Sequence, residues 1–171
     1  DIAGMVLPPF PNLTLTGTHA ASGSTSMFGL DVVYTPAITI ERSAGQTIED
    51  RNVVAGPGLV SVIRFTVRSD NADGWIREMV FQGVGALDEG SMLSGAWIYH
   101  DVDGDGEVSP GDRRVSDVGT FSEDGGELRL MLLNGQIRAN RPQQWMLAFE
   151  LAPIATAGLA FQVQLMNAAA V

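Results

Sequence analysis

Between Asp101 and Asp112 the chain reads DVDGDGEVSPGD, a stretch in which acidic residues recur at every second position. That spacing suits a hard divalent cation. Ca2+ takes six to eight oxygens at roughly 2.3–2.6 Å, and a twelve-residue loop supplies them from its positions 1, 3, 5, 7, 9 and 12. Here those positions hold Asp101, Asp103, Asp105, Glu107, Ser109 and Asp112. Position 7 needs only a backbone carbonyl, so Glu107 serves through its C=O, and Ser109 binds directly or through a water. Gly106 stands at position 6, where the loop turns sharply and glycine meets no steric penalty. Position 12 is usually a bidentate Glu. Asp112 is one methylene shorter, so the loop must close more tightly or accept a monodentate ligand. Unpaired carboxylates this close repel one another unless a cation neutralises them.

Other chemistry finds little footing. There is no cysteine, and a Ser/His/Asp triad would have to draw on His19, in a small-residue tract, or His100, which directly precedes the loop. No pair of carboxylates stands out from the twenty acidic residues as a glycosidase would require. Asp70 and Asp73, in DNADG, read as a plain turn. No zinc spacing, phosphate-cradling glycine loop or basic stripe is present. The reading is of a protein without catalytic residues. Arg113 and Arg114 are expected to balance or cap the acidic loop.

The loop resembles the calcium loops of dockerin modules and of thrombospondin type 3 repeats, where Asp at the last position is ordinary. A dockerin carries two such loops, each followed by an apolar helix, whereas this chain has one, preceded by the strand-like AWIYH and followed by RRVSDVGTFSEDGG, which has no helical stripe. That frame is more similar to β-sandwich modules of bacterial secreted and surface proteins, in which a strand runs straight into an Asp-rich calcium loop. The resemblance implies an extracellular, Ca2+-stabilised module.

The positioning elements read as short strands. LVSVIRFTVRS, residues 59–69, places Leu59, Ser61, Ile63, Phe65 and Val67 on one face and Arg64, Thr66 and Arg68 on the other. WIREMVFQG, residues 75–83, alternates Trp75, Arg77, Met79 and Phe81 against Ile76, Glu78, Val80 and Gln82. ELRLMLL aligns Leu128, Leu130 and Leu132, WMLAFELA aligns Trp145, Leu147, Phe149 and Leu151, and AFQVQLM aligns Phe161, Val163 and Leu165. The strands at 59–69, 75–82, 127–133 and 145–152 are expected to be central. Asn134-Gly135 signals a hairpin turn, and the three tryptophans, Trp75, Trp97 and Trp145, are placed in the core. Turn signals about every ten residues suit an all-β antiparallel sandwich, Ig-like or jelly-roll-like, with the calcium loop inserted.

Two units are expected: an extended N-terminal arm or linker over 1–26 and a calcium-binding domain over 27–171. Pro8, Pro9 and Pro11 keep the apolar start of the arm out of a central strand. Leu13 to Thr16 reads as a short strand, residues 17–26 as a loop, and Asn12-Leu13-Thr14 as a formal glycosylation sequon. The chain begins at Asp1, which suggests removal of a leader segment. Ile2, Met5, Val6, Leu7, Phe10, Leu13 and Leu15 need burial, either on their own sandwich or as a strand added to the next subunit.

Composition sets the partners. The net charge is −10 and the pI about 4.4, with arginine supplying all ten basic residues. Nucleic acid is a poor partner for such a surface, and no apolar run approaches the roughly 20 residues of a membrane span. Without disulfides, a cation is the remaining staple, and the millimolar calcium such loops rely on lies outside cells. The expected role is a non-enzymatic structural subunit of an extracellular bacterial filament, surface layer or matrix, its partners further copies of itself. A carbohydrate-binding or adhesion module, with glycans as partners, or an ancillary domain of a secreted hydrolase is the alternative.

Overall fold

The computed structural model describes residues 13–20, 27–34, 37–43, 56–70, 72–155 and 158–170. Residues 1–12, with the prolines and the sequon asparagine, lie outside them. β1 (Leu13–Ala20) and β2 (Met27–Tyr34) pair antiparallel as a two-stranded sheet, from Leu13↔Tyr34 to Ala20↔Met27. Residues 17–20, read as loop from their small side chains, are strand because β2 gives their backbone groups a partner.

The rest is an all-β sandwich. One sheet has five strands in the order β3 (Ile38–Arg42), β4 (Gly56–Ser69), β10 (Gln143–Leu151), β6 (Leu93–Asp101) and β7 (Arg113–Arg114). The other runs β11 (Phe161–Ala170), β5 (Gly74–Gly85), β8 (Glu127–Met131), with β9 (Gln136–Ile137) also on β5. All these strand pairs are antiparallel. A single helical turn, α1 (Glu89–Met92), capped by the Asp88 side chain, separates β5 from β6.

Alternation decides which side chains enter the core. Phe65 and Val67 of β4, Ala96 and Ile98 of β6, and Trp145, Leu147 and Phe149 of β10 face Met79 and Phe81 of β5 and Leu128 and Leu130 of β8. Phe65 meets Trp145 edge to face at 6.3 Å, a favoured aromatic arrangement. A bulge at Val62 reverses the alternation at the start of β4: Leu147 pairs Ile63 but Ala148 pairs Ser61. Leu59 and Ser61 therefore sit opposite Glu150 and Ala148, on the sheet face away from Phe65, where Ser61 and Ala148 are nonetheless buried.

β5 breaks its pattern in the same way. Ala169 of β11 pairs Glu78 and Ala170 pairs Ile76, so Arg77 is the extra residue. Ile76 is consequently buried with Met79 and Phe81, and Trp75 is 46% exposed, which corrects its placement in the core. Trp145 is fully buried, while Trp97 is half-buried and lies over Gly95. A bulge at Met166 sets Ala168 opposite Met79 and packs it on the core; Val163, on the near side of the bulge, packs there too, while Leu165 is partly exposed.

Asn134-Gly135 is not a hairpin. β8 and β9 both pair with β5, so the chain continues along one neighbour instead of reversing. The Gly135 carbonyl accepts the Ile76 N–H at 2.9 Å, and a Cβ on Gly135 would strike the Ile76 carbonyl oxygen, so glycine is there for close approach. β8 is an edge strand of its sheet. Residues 115–119 run alongside it and also reach β6: the Val115 N–H donates to the Ile98 carbonyl, Gly119 exchanges bonds with Ala96, and Asp117 donates to Met131. The buried Ser116 hydroxyl accepts the Ile98 N–H at 2.8 Å. One side of the sandwich is thereby hydrogen-bonded shut.

Candidate metal centre

β6 delivers the loop. Asp101 is its last residue, paired with Gln144 of β10, and its side chain is fully covered. One carboxylate oxygen accepts the Gly104 N–H at 2.7 Å; the other accepts the Gly106 N–H at 3.1 Å and the Arg64 guanidinium at 2.8 Å. The folding-back that brings these amides round requires the left-handed φ of +77° at Gly104 and +79° at Gly106. Beyond Asp101, two short carboxylates cap their own backbone. Asp103 Oδ1 accepts the Asp105 N–H at 3.3 Å, and Asp105 Oδ1 accepts the Glu107 N–H at 2.7 Å, the local bonding that suits Asp to tight turns.

These turns aim three carboxylates inward. One oxygen each from Asp101, Asp103 and Asp105 lie within 4.8 Å of one another, Asp101 buried and the other two exposed. Ligands about 2.4 Å from a shared ion are at most about 4.8 Å apart, so the trio has the dimensions of part of one oxygen coordination sphere. The Ser109 hydroxyl lies 3.4 Å from Asp103 Oδ2, at the rim.

Asp112 and Glu107 stand differently. Asp112 lies outside the trio, and its oxygens accept the Val102 N–H at 2.9 Å and the Ser109 N–H at 2.7 Å, so it ties the end of the loop to the beginning. Partial burial works to raise the Asp112 pKa, but those two N–H donors, the Ser109 hydroxyl and nearby His100 outweigh it and hold the carboxyl below its usual value. The Glu107 side chain is exposed. His100 is held below the ordinary imidazole value by burial first and by Arg113 second, with Asp101 and Asp112 pulling weakly the other way.

Arg64 is the partner of the loop that the sequence did not disclose. It lies 37 residues before Asp101, on a strand where it reads only as an outward-facing polar position. In the fold its guanidinium donates to both Asp101 and the Gly104 carbonyl at 2.8 Å and lies flat against Gly106. Arg113 and Arg114, expected to balance the loop, make no ion pair with it among the described residues. They form β7, with Arg113 paired to His100 and Arg114 to Tyr99. The donors gathered at the trio are all oxygens, which suits hard cations over softer metals.

Compared with known proteins, the chain matches no family model, no curated protein and no solved structure.

Proposed function

We propose that this chain is a non-enzymatic structural module of an extracellular bacterial assembly, with one Ca2+ held in the loop from Asp101 to Asp112. The observation that carries the reading is the convergence of Asp101, Asp103 and Asp105 within 4.8 Å at the end of β6. Oxygen donors of this kind suit Ca2+, and Mg2+ fits a long multidentate loop badly because it demands a small octahedral shell and gives up its waters reluctantly. The disulfide-free chain gains a staple, and millimolar calcium outside cells saturates even a weak site. Assembly is supported by the outer edges of β3 and β11, which have no partner strand among the described residues and offer backbone donors and acceptors to a strand from another copy.

Thermal unfolding and calorimetric titration test the metal. At one hundred times its dissociation constant, a native-state ligand adds about 2.7 kcal/mol, so the chain melts higher in Ca2+ than in chelator. Asp103→Asn with Asp105→Asn removes that difference. Coincident melting curves for the parent chain would show that the loop is an acidic turn without an ion. For assembly, light scattering on the full chain and on a chain lacking residues 1–16 is decisive. Strand exchange requires the full chain to polymerise in calcium and the shortened one to stay folded and monomeric; a full chain monomeric at high concentration excludes it.

A further inference from the structure

Beside the metal loop, where the sheets part at one end of the sandwich, lies an open cleft of about 640 Å³, within the roughly 300–1,000 Å³ of small-ligand sites. Arg113, Arg114, Arg138 and Arg141 line it, four of the chain's ten arginines. No carboxylate does so among the described residues, although the chain holds twenty. All four arginines are exposed, and none forms an ion pair among the described residues. Four like charges gathered in one hollow of an acidic molecule repel one another, an arrangement that an anion relieves.

The backbone holds these arginines from two directions. Arg113 and Arg114 are fixed by pairing with the end of β6. Arg138 and Arg141 begin and end one turn, closed by the Arg141 N–H on the Arg138 carbonyl at 3.2 Å, with Asn140 at φ +56°. That turn is tied down by the Asn140 N–H on the Ser69 carbonyl and the Ala139 N–H on Asp73 Oδ1, each at 2.8 Å. Trp75, turned outward by the β5 bulge, stands on the facing sheet and also lines the cleft. Gln143 joins the two sides: its amide oxygen accepts the buried Trp145 indole N–H at 2.9 Å, and its amide nitrogen donates to the Gln136 carbonyl at 3.2 Å.

We propose that this cleft binds an acidic sugar residue, its carboxylate on the arginine forks and one face of its ring against Trp75. A guanidinium matches a carboxylate with two parallel hydrogen bonds, and arginine does this better than lysine. The exposed indole provides an apolar face with a polar edge, and the amides of Asn134 and Gln136 can donate to or accept from hydroxyls. A long polyanion would run from the cleft over a body of net charge −10. The ligand is therefore one acidic residue, free or at the end of a glycan.

The test is titration of the full chain in calcium with glucuronate, galacturonate and their methyl glycosides, against glucose, a glutamate-rich peptide, polygalacturonate and a DNA oligonucleotide. Binding is read by calorimetry and Trp fluorescence. The monomeric uronates are expected to bind and glucose not. Equal affinity for free acid and glycoside places the anomeric position outside the cleft, as a glycan end requires; preference for the free acid identifies a monosaccharide site, and either supports the proposal. Arg138→Ala with Arg141→Ala should weaken binding about tenfold or more, Trp75→Ala should weaken it as well, and Arg138→Lys with Arg141→Lys should fall between. An unchanged melting temperature shows that the variants fold; where the alanine pair does not, the lysine pair carries the comparison. Failure of every uronate to bind at millimolar concentration overturns the proposal. So does equal binding of glucose, tighter binding of the peptide, polymer or DNA, or unchanged affinity in the folded arginine variants. Failure of the metal reading would appear separately, as absence of calcium heat in chain that still binds uronate.

Discussion

Arg64 and Asp101 form an ion pair with side chains 12% and 0% exposed, and this pair joins the acidic loop to the middle of a sheet. Removing one partner leaves the other charge buried without compensation, at a cost of about 3–5 kcal/mol. Arg64→Met should therefore destabilise the chain strongly in chelator. In Ca2+ the loss should be smaller, because the cation takes over neutralisation of Asp101. Chemical denaturation of parent and variant under both conditions measures the difference, and an equal loss in each would show that Asp101 does not sense the ion. The pair also bears on what a sequence can reveal. Alternating acids and a glycine at the sixth position are local, so Asp101, Asp103, Asp105 and the turn at Gly106 were legible. Arg64 and the clasp made by Asp112 depend on where distant backbone amides and strands arrive, and no spacing along the chain records that.

Strands were legible where alternation ran undisturbed, and faces were misread wherever a bulge inserted a residue. Leu128 and Leu130, or Trp145, Leu147 and Phe149, keep one face throughout and lie in the core as their pattern requires. Trp75 and Leu59 lie beyond bulges at Arg77 and Val62, and one extra residue is enough to turn every side chain past it to the opposite face. Asn134-Gly135 misled for a related reason: the dipeptide is locally suited to reversal, but β5 offers the chain a continuous partner on both sides of it. Mutations should follow the faces. Phe149→Ala should cost about 3–5 kcal/mol, whereas Trp75→Ala should change stability by less than about 1 kcal/mol. Gly135→Ala should destabilise by about 1–3 kcal/mol through forced displacement of the Ile76 carbonyl. Urea unfolding of the three variants checks this, and a costly Trp75→Ala would put that side chain back in the core.

At the scale of the molecule, the acidic loop and the arginine cleft share a hairpin. β6 and β7 pair through only Tyr99↔Arg114 and His100↔Arg113, and the loop is their connection. An ion that orders the loop fixes where Arg113 and Arg114 stand, so chelation should lower the affinity of the cleft for a uronate, and saturating uronate should raise the affinity for Ca2+ by the same factor. Paired calorimetric titrations provide both numbers, and an affinity for each ligand that the other leaves unchanged would mean that the two sites are not joined through this hairpin. The closed side of the sandwich has a mechanical consequence. Residues 115–119 bond both sheets along the β6 and β8 edges, while the strands nearest the two ends of the sandwich in sequence, β3 and β11, lie at the opposite edges. A pull on the two ends of the sandwich should therefore strip β3 and β11 first, at low force, and leave the acidic loop and the stitched edge as the last part to yield.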